Sequence, residues 1–256
     1  MNTQDKVIVV TGGASGLGEA TVRYLLRRGA KVAAFDVNEQ NGNALADELE
    51  ENFRFYKVDI TNEDDVAEAV DKVQAAFNAI HVCINCAGIP LPCKVLDREG
   101  NAVALSKFTT VISVNLIGLF NVMSKCAAIM AKNEPDEKGE RGVVINISSG
   151  AAYEGQIGQC AYSASKAGVI GLNIPAAREL GAVGIRVNAI APGLFGTPMV
   201  KSLDAKVVQS LINMVESPRR LGDLDEFAHT CAYIIENAYL NGETIRLDAA
   251  TRLKAK

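Results

Sequence analysis

The amino-acid sequence predicts an α/β fold: a Rossmann-type, doubly wound parallel sheet forming a single domain over residues 1–256. Three observations carry this expectation. Short apolar runs alternate with helix-length amphipathic segments along the whole chain. The runs are nearly continuous in Val, Ile and Ala, the signature of strands covered on both faces. A glycine-rich stretch follows the first run directly, where a strand turns into a helix. The β-α-β-α order then implies right-handed crossovers and one parallel sheet.

The first run is 6–10 (KVIVV), and the expected strands continue at 30–35, 53–58, 80–84, 142–147, 185–190 and 243–247. Between them, GLGEATVRYLLRRG and TNEDDVAEAVDKVQAAF place Leu17, Ala20, Val22 and Leu25, and the pair Asp65/Ala69, at helical rather than alternating spacing. Pro175 falls inside a helix expected to start near Tyr162; it removes one backbone bond and crowds Gly171, so a kink is expected there. Two polar connections, roughly 89–107 and 133–141 (NEPDEKGER), are long for such a scaffold, and loops of this kind carry specificity or are simple surface insertions.

Composition narrows the function. With 26 basic and 30 acidic residues in 256, the net charge is −4, and no basic run provides a footprint for nucleic acid or an anionic membrane surface. No apolar run reads as the ~20 residues that a membrane span needs, so no membrane partner is expected. The opening MNTQDKVIVVTGG enters the first strand at once, which leads to the expectation of a cytoplasmic protein with reduced thiols among its six cysteines. Cys83 and Cys86 form a CxxC, but in a strand residues i and i+3 point to opposite faces, and only two histidines are available; no metal site is expected.

The chemistry-bearing residues come in a fixed order. Thr11 to Gly18 reads TGxxxGxG. Gly12, Gly16 and Gly18 permit a tight turn and close backbone approach to a pyrophosphate, and the helix starting near Gly16 aims its free N–H groups at that anion. Asp36 ends the second strand, 18 residues past Gly18, where a carboxylate can bind an adenosine ribose and would repel a 2′-phosphate. Neither Ser15 nor Val37 offers a positive charge to such a phosphate, which favours NAD over NADP. Asp59 ends the third strand, within reach of an adenine amine, and Asn85-Cys86-Ala87-Gly88 follows the fourth, leaving room at the switch point. Tyr162 and Lys166, four residues apart, share a helix face. A neighbouring ammonium, together with a positively charged nicotinamide, should lower a phenol that ordinarily titrates near 10. Ser149 lies 13 residues before Tyr162 at a strand end, and Asn115 sits in an apolar helix. Ser148 should leave the strand on the other side and serve as a local hydrogen-bonding group. Cys160 reads as packing rather than as a nucleophile.

Taken together, these motifs resemble the short-chain dehydrogenase/reductase family over essentially the whole chain. The resemblance implies an NAD-dependent oxidoreductase with the tetrad Asn115, Ser149, Tyr162 and Lys166. It implies a cofactor site from Gly12, Ser15, Gly16, Leu17, Gly18, Asp36, Asp59, Ile60, Asn85, Cys86, Ala87, Gly88, Tyr162, Lys166, Pro192, Gly193 and Thr197. Within the family, NEPDEKGERGVVINISSGAAYEGQIGQCAYSASKAG and IRVNAIAPGLFGTPM are similar to the branch that oxidises 3-hydroxyacyl-CoA thioesters, with hydroxysteroids as further candidate substrates. That branch implies an acyl-CoA partner and a homotetramer. A 3-oxoacyl-carrier-protein reductase, or a non-catalytic scaffold on the same fold, are the alternatives. Residues 194–216 are expected to form a substrate lid, with Leu203, Val207, Leu211 and Val215 as one helical stripe.

Overall fold

The computed structural model describes residues 1–255. Seven strands, β1 (Val7–Thr11), β2 (Lys31–Asp36), β3 (Phe53–Lys57), β4 (Val82–Asn85), β5 (Gly142–Ile147), β6 (Ile185–Pro192) and β7 (Thr244–Leu247), form one sheet in the order β3-β2-β1-β4-β5-β6-β7. Every adjacent pair is parallel. The order reverses between β1 and β4, so the switch point opens beside the carboxyl ends of those two strands.

Pleating divides the core. Ile8 and Val10 of β1 and Ile145 of β5 face one layer, built from α1 (Gly16–Arg27), α2 (Glu39–Leu49) and a C-terminal helix, Leu224–Glu236. Val7, Val9 and Val144 face the other, where α3 (Glu63–Phe77) and Cys160–Gly181 pack. This explains the apolar runs of the central strands β1, β4, β5 and β6, whose residues are almost all buried, whereas edge strand β3 (FRFYK) leaves Arg54 and Lys57 exposed. Cys160–Gly181 runs unbroken through Pro175.

The long helix between β4 and β5 differs from expectation. Leu105–Ile112 continues through a π-helical stretch, Ser113–Gly118, into Leu119–Met130. Together Leu105–Met130 is long and apolar enough, by length and composition, to cross a membrane. The expectation that no such run exists is therefore corrected. One face of this helix packs in the core through Val111, Leu119, Val122, Met123 and Met130, all buried. Asn115, Asn121 and Lys125 interrupt its apolar surface, and their side chains bond to neighbouring protein groups.

Of the two long connections, 133–141 is fastened rather than loose. Its Glu140 is buried and pairs with Arg186, whose remaining N–H groups reach the carbonyls of Ile234, Ile235 and Leu240. The connection 89–107 folds back on the active-site side through an isolated bridge from Cys93 to Gln159.

Candidate active site

The site assembles along the carboxyl edge of the sheet. Between β1 and α1 the chain must reverse in a space that no side chain can share. Gly12 has φ +65, and a Cβ there would lie 3.0 Å from the Ala87 backbone; a Cβ on Gly18 would lie 2.1 Å from the Gly12 carbonyl oxygen. Ser15 occupies the N-cap of α1 with no side-chain cap bond, so first-turn N–H groups remain directed toward the opening. The Thr11 hydroxyl accepts from the Ala87 N–H at 3.0 Å, tying the glycine turn to the strand-β4 turn.

These turns floor a cavity of about 1190 Å³. Of the expected cofactor residues, Gly12, Ser15, Gly16, Leu17, Gly18, Asp36, Asp59, Ile60, Cys86, Ala87, Gly88, Tyr162, Lys166, Pro192 and Thr197 line it. At one end Asp36 accepts from the N–H groups of Ala14 (3.1 Å) and Asn38 (3.0 Å), which fixes its carboxylate while leaving lone pairs free. Asp59 holds Thr61 through its N–H (2.9 Å) and hydroxyl (2.7 Å). Two expected contacts lie elsewhere. Asn85 is buried beneath the cavity, donating to Asn146 Oδ1 at 2.9 Å; its amide is too valuable to the neighbouring strand to face outward. Gly193 packs against Asp248, where a Cβ would lie 2.8 Å from the Asp248 Cα.

At the other end stand the reacting groups. Lys166 is buried, donates to the Ile147 carbonyl at 2.7 Å, and lies 5.9 Å from the centre of the Tyr162 ring. Burial pushes its pKa down to about 8. The Tyr162 phenol is raised above its ordinary value by burial, against which its hydrogen bond with Ser149 pulls downward. In the protein alone burial dominates, and the lowering expected of Lys166 together with a cationic nicotinamide belongs to the cofactor-bound enzyme. The Ser149 hydroxyl also accepts from the Ala151 N–H at 3.1 Å. Ser148 lines the cavity rather than pointing away from it, and donates to the Lys166 carbonyl at 2.7 Å, 18 residues on.

Asn115 is fully buried inside the π stretch. Its Oδ1 accepts from the Ile89 N–H (2.8 Å), and its Nδ2 donates to the Ile89 carbonyl (3.1 Å) and the Ser165 hydroxyl (3.1 Å). The side chain is thus spent on holding the turn after β4. A Cβ on Gly88 would lie 3.2 Å from Asn115 Oδ1 and 3.3 Å from Lys166 Nζ, so any side chain there would press on both groups. A π stretch disturbs the regular helical ladder at this spot, a frequent accompaniment of functional sites.

Thr11, Asn146 and Ser165 are site-building residues that sequence reading did not single out. The signal available for Asn146 was a polar residue inside an otherwise apolar strand, GVVINI. The CxxC carries no bridge: Cys83 and Cys86 are both free, and burial raises Cys86 to about 12. Among the described residues no group of His, Cys, Asp or Glu could hold a metal ion.

The expected lid stripe is also revised. Residues 198–212 form two short helices, Pro198–Lys201 and Ala205–Ile212, separated at Ser202–Asp204, where the Asp204 side chain caps the second. Leu203 and Val207 are exposed and Val215 is buried, so the stripe is not one continuous packed face. Gly196 is fixed by an N–H bond to Gly222, while Thr197 lies against Gly16 across the cavity mouth.

A glycine cradle for a dinucleotide and a Ser-Tyr-Lys cluster at the carboxyl edge of this sheet define a short-chain dehydrogenase, and the chain belongs to that family: the short chain dehydrogenase model matches residues 6–208. More particularly, it is 48% identical over 249 residues to a human 3-hydroxyacyl-CoA dehydrogenase type-2, covering 97% of this chain and 95% of that protein. It is 34% identical to a 3-oxoacyl-acyl-carrier-protein reductase of Thermotoga maritima, covering 97% and 98%. A crystal structure of a 3-hydroxyacyl-CoA dehydrogenase type-2 from Mycobacterium avium superposes with a TM-score of 0.93 at 41% identity, covering 100% and 98% of the two chains.

Proposed function

We propose that this enzyme is an NAD-dependent 3-hydroxyacyl-CoA dehydrogenase, interconverting 3-hydroxyacyl-CoA and 3-oxoacyl-CoA. The observation that carries the cofactor choice is Asp36. Its carboxylate is held by two backbone N–H groups at the ribose end of the cavity, and no lysine or arginine lines that cavity apart from the catalytic Lys166. A 2′-phosphate there would meet a fixed negative charge. The cradle fits a dinucleotide, because the positions where a Cβ would collide are those a pyrophosphate must approach. Gly12, Gly16 and Gly18 would hold the phosphates, Asp36 the adenosine ribose, and Lys166, Pro192 and Thr197 the nicotinamide end. Bound there, the nicotinamide supplies the hydride acceptor or donor.

The protein's own residues manage the proton. In the oxidative direction Tyr162 takes the proton of the substrate hydroxyl, while Ser149 orients that oxygen by hydrogen bonding. Lys166 holds positive charge beside the phenol when protonated, and its Ile147 bond fixes its direction. In the reductive direction Tyr162 returns the proton to the developing alkoxide. The acyl-CoA reading is supported by 45–48% identity to type-2 dehydrogenases of human and Drosophila melanogaster over nearly the whole chain. The carrier-protein reductase alternative has the weaker similarity, and it usually calls for NADPH, against which Asp36 speaks. Residues 194–216 are proposed as the lid over the substrate. A homotetramer is proposed as well, supported by an uncovered apolar row on the long helix: Leu105, Phe108, Ile117 and Phe120 are exposed. The function is tested by turnover of acetoacetyl-CoA with NADH.

A further inference from the structure

On the side of Tyr162 away from the glycine cradle lies a second hollow of about 330 Å³. Pro90 and Tyr162 line both it and the main cavity, so the two hollows adjoin at these residues. Leu91, Pro92 and Ile157 give it apolar walls beside Gln156 and Gln159, and Ala255 lines it from the C-terminal segment.

The segment that brings Ala255 there is held at both ends. At the far end, the Ile157 N–H donates to the Ala255 carbonyl at 3.1 Å, and Gln156 Nε2 donates to the Lys254 carbonyl at 3.1 Å. At the near end, directly after β7, the chain makes a turn in which Ala249 and Ala250 both adopt left-handed conformations, φ +48 and +57. Alanine enters that region at a cost, and consecutive residues there persist only when the surroundings over-determine them. The surroundings here do so. Asp248 accepts from the Ala250 N–H (3.1 Å), from Arg246 (2.8 Å) and from Arg252 (3.1 Å). Arg246 also grips both carboxylate oxygens of Glu154, at 2.9 and 3.0 Å, and stacks 4.6 Å above the Tyr153 ring. Glu154 lies five residues after Ser149, so the cluster binds the terminal strap to the loop that carries the substrate-orienting hydroxyl.

We propose that the strap Asp248–Ala255 is the specificity-determining wall of the acyl subsite, anchored by Arg246 and Glu154, and that it limits the length of acyl chain the enzyme accepts. This rests on the acyl-CoA reading above. Asp248 packs against Gly193, but beyond Thr251 the strap is bonded to Gln156 and Ile157, so changes there alter substrate choice without altering cofactor binding. A terminal wall formed by backbone and one small side chain can be moved outward by removal or inward by a larger residue.

The test compares kcat/KM for 3-oxoacyl-CoA substrates of about four and about ten carbons with NADH, alongside the Kd for NADH. A chain truncated after Thr251 should raise the long-to-short ratio on the order of tenfold, mainly through KM; Ala255→Trp should lower it by a similar factor. The Kd for NADH should stay within about twofold in both. Should the truncated chain fail to fold, Ala255→Trp decides alone. An unchanged ratio in Ala255→Trp, with wild-type turnover intact, overturns the wall and leaves the enzyme's function standing. Absence of wild-type turnover on acetoacetyl-CoA would instead overturn the function, and the wall with it.

Discussion

At the scale of single residues, the site works by setting burial against charge. Tyr162 is pushed up by burial and Lys166 is pushed down to about 8, which leaves the ammonium charged at neutral pH but the phenol protonated. A cationic nicotinamide beside them favours phenolate, which couples cofactor binding to proton transfer. Tyr162→Phe should therefore reduce kcat by about 10²–10⁴-fold while the Kd for NADH changes by less than about twofold, measured by NADH fluorescence titration. A near-normal kcat would contradict the assigned role. The tetrad positions were readable from residue types in order, because Tyr and Lys four apart on a helix must share a face. The supports behind them were not. That Asn115 spends its amide on Ile89 and Ser165, or that Asn85 pairs with Asn146 rather than facing the cavity, depends on contacts between elements 26 to 61 residues apart. No local pattern encodes such contacts.

At the scale of elements, the central strands were legible because burial on both faces makes them Val/Ile/Ala-rich runs, while the partly exposed edge strands β3 (FRFYK) and β7 (TIRL) carry a weaker signal. Helix continuity was harder. The apolar segment Leu105–Met130 carries Asn115, Asn121 and Lys125 yet forms one continuous helical run, each polar group finding a partner. The segment after Gly193 shows the opposite error: four-residue spacing suggested one helix, but Asp204 caps a new start and breaks it into two. Two short helices with no buried residue in the second have little to hold them closed. Hydrogen exchange at residues 195–215 should slow when NADH and acetoacetyl-CoA are added together; equal, strong protection with and without ligands would contradict a lid. A smaller case is His81. Its Nδ1 accepts from the Val7 N–H at 3.1 Å, and burial pushes its pKa down to about 4. The unfolded chain binds that proton near 6.5, so the stabilisation is complete above about 6.5 and is lost as pH falls toward 4. With the ring partly solvent-exposed, the loss is on the order of 1–2 kcal/mol. Urea melts at pH 7 and pH 4.5 should show the wild type losing that much more than His81→Asn, which keeps an acceptor but cannot titrate. Equal losses would remove the assignment.

At the scale of the whole molecule, one sheet with a single reversal of strand order brings every functional group to one edge. Glycine turn, ribose acid, Ser-Tyr-Lys cluster and the loop at Pro192 come from β1, β2, β5 and β6 and from the helix after β5, and only a parallel sheet delivers all of them to the same side. The central claim is that this edge serves NAD-linked chemistry on an acyl-CoA thioester. The most direct measurement is kcat/KM for acetoacetyl reduction by the purified full chain, with NADH and with NADPH, on the CoA ester and on the carrier-protein ester. The account predicts that NADH exceeds NADPH by on the order of tenfold or more, because Asp36 repels a 2′-phosphate, and that the CoA ester is the better substrate. A preference for NADPH together with the carrier-protein ester would contradict it.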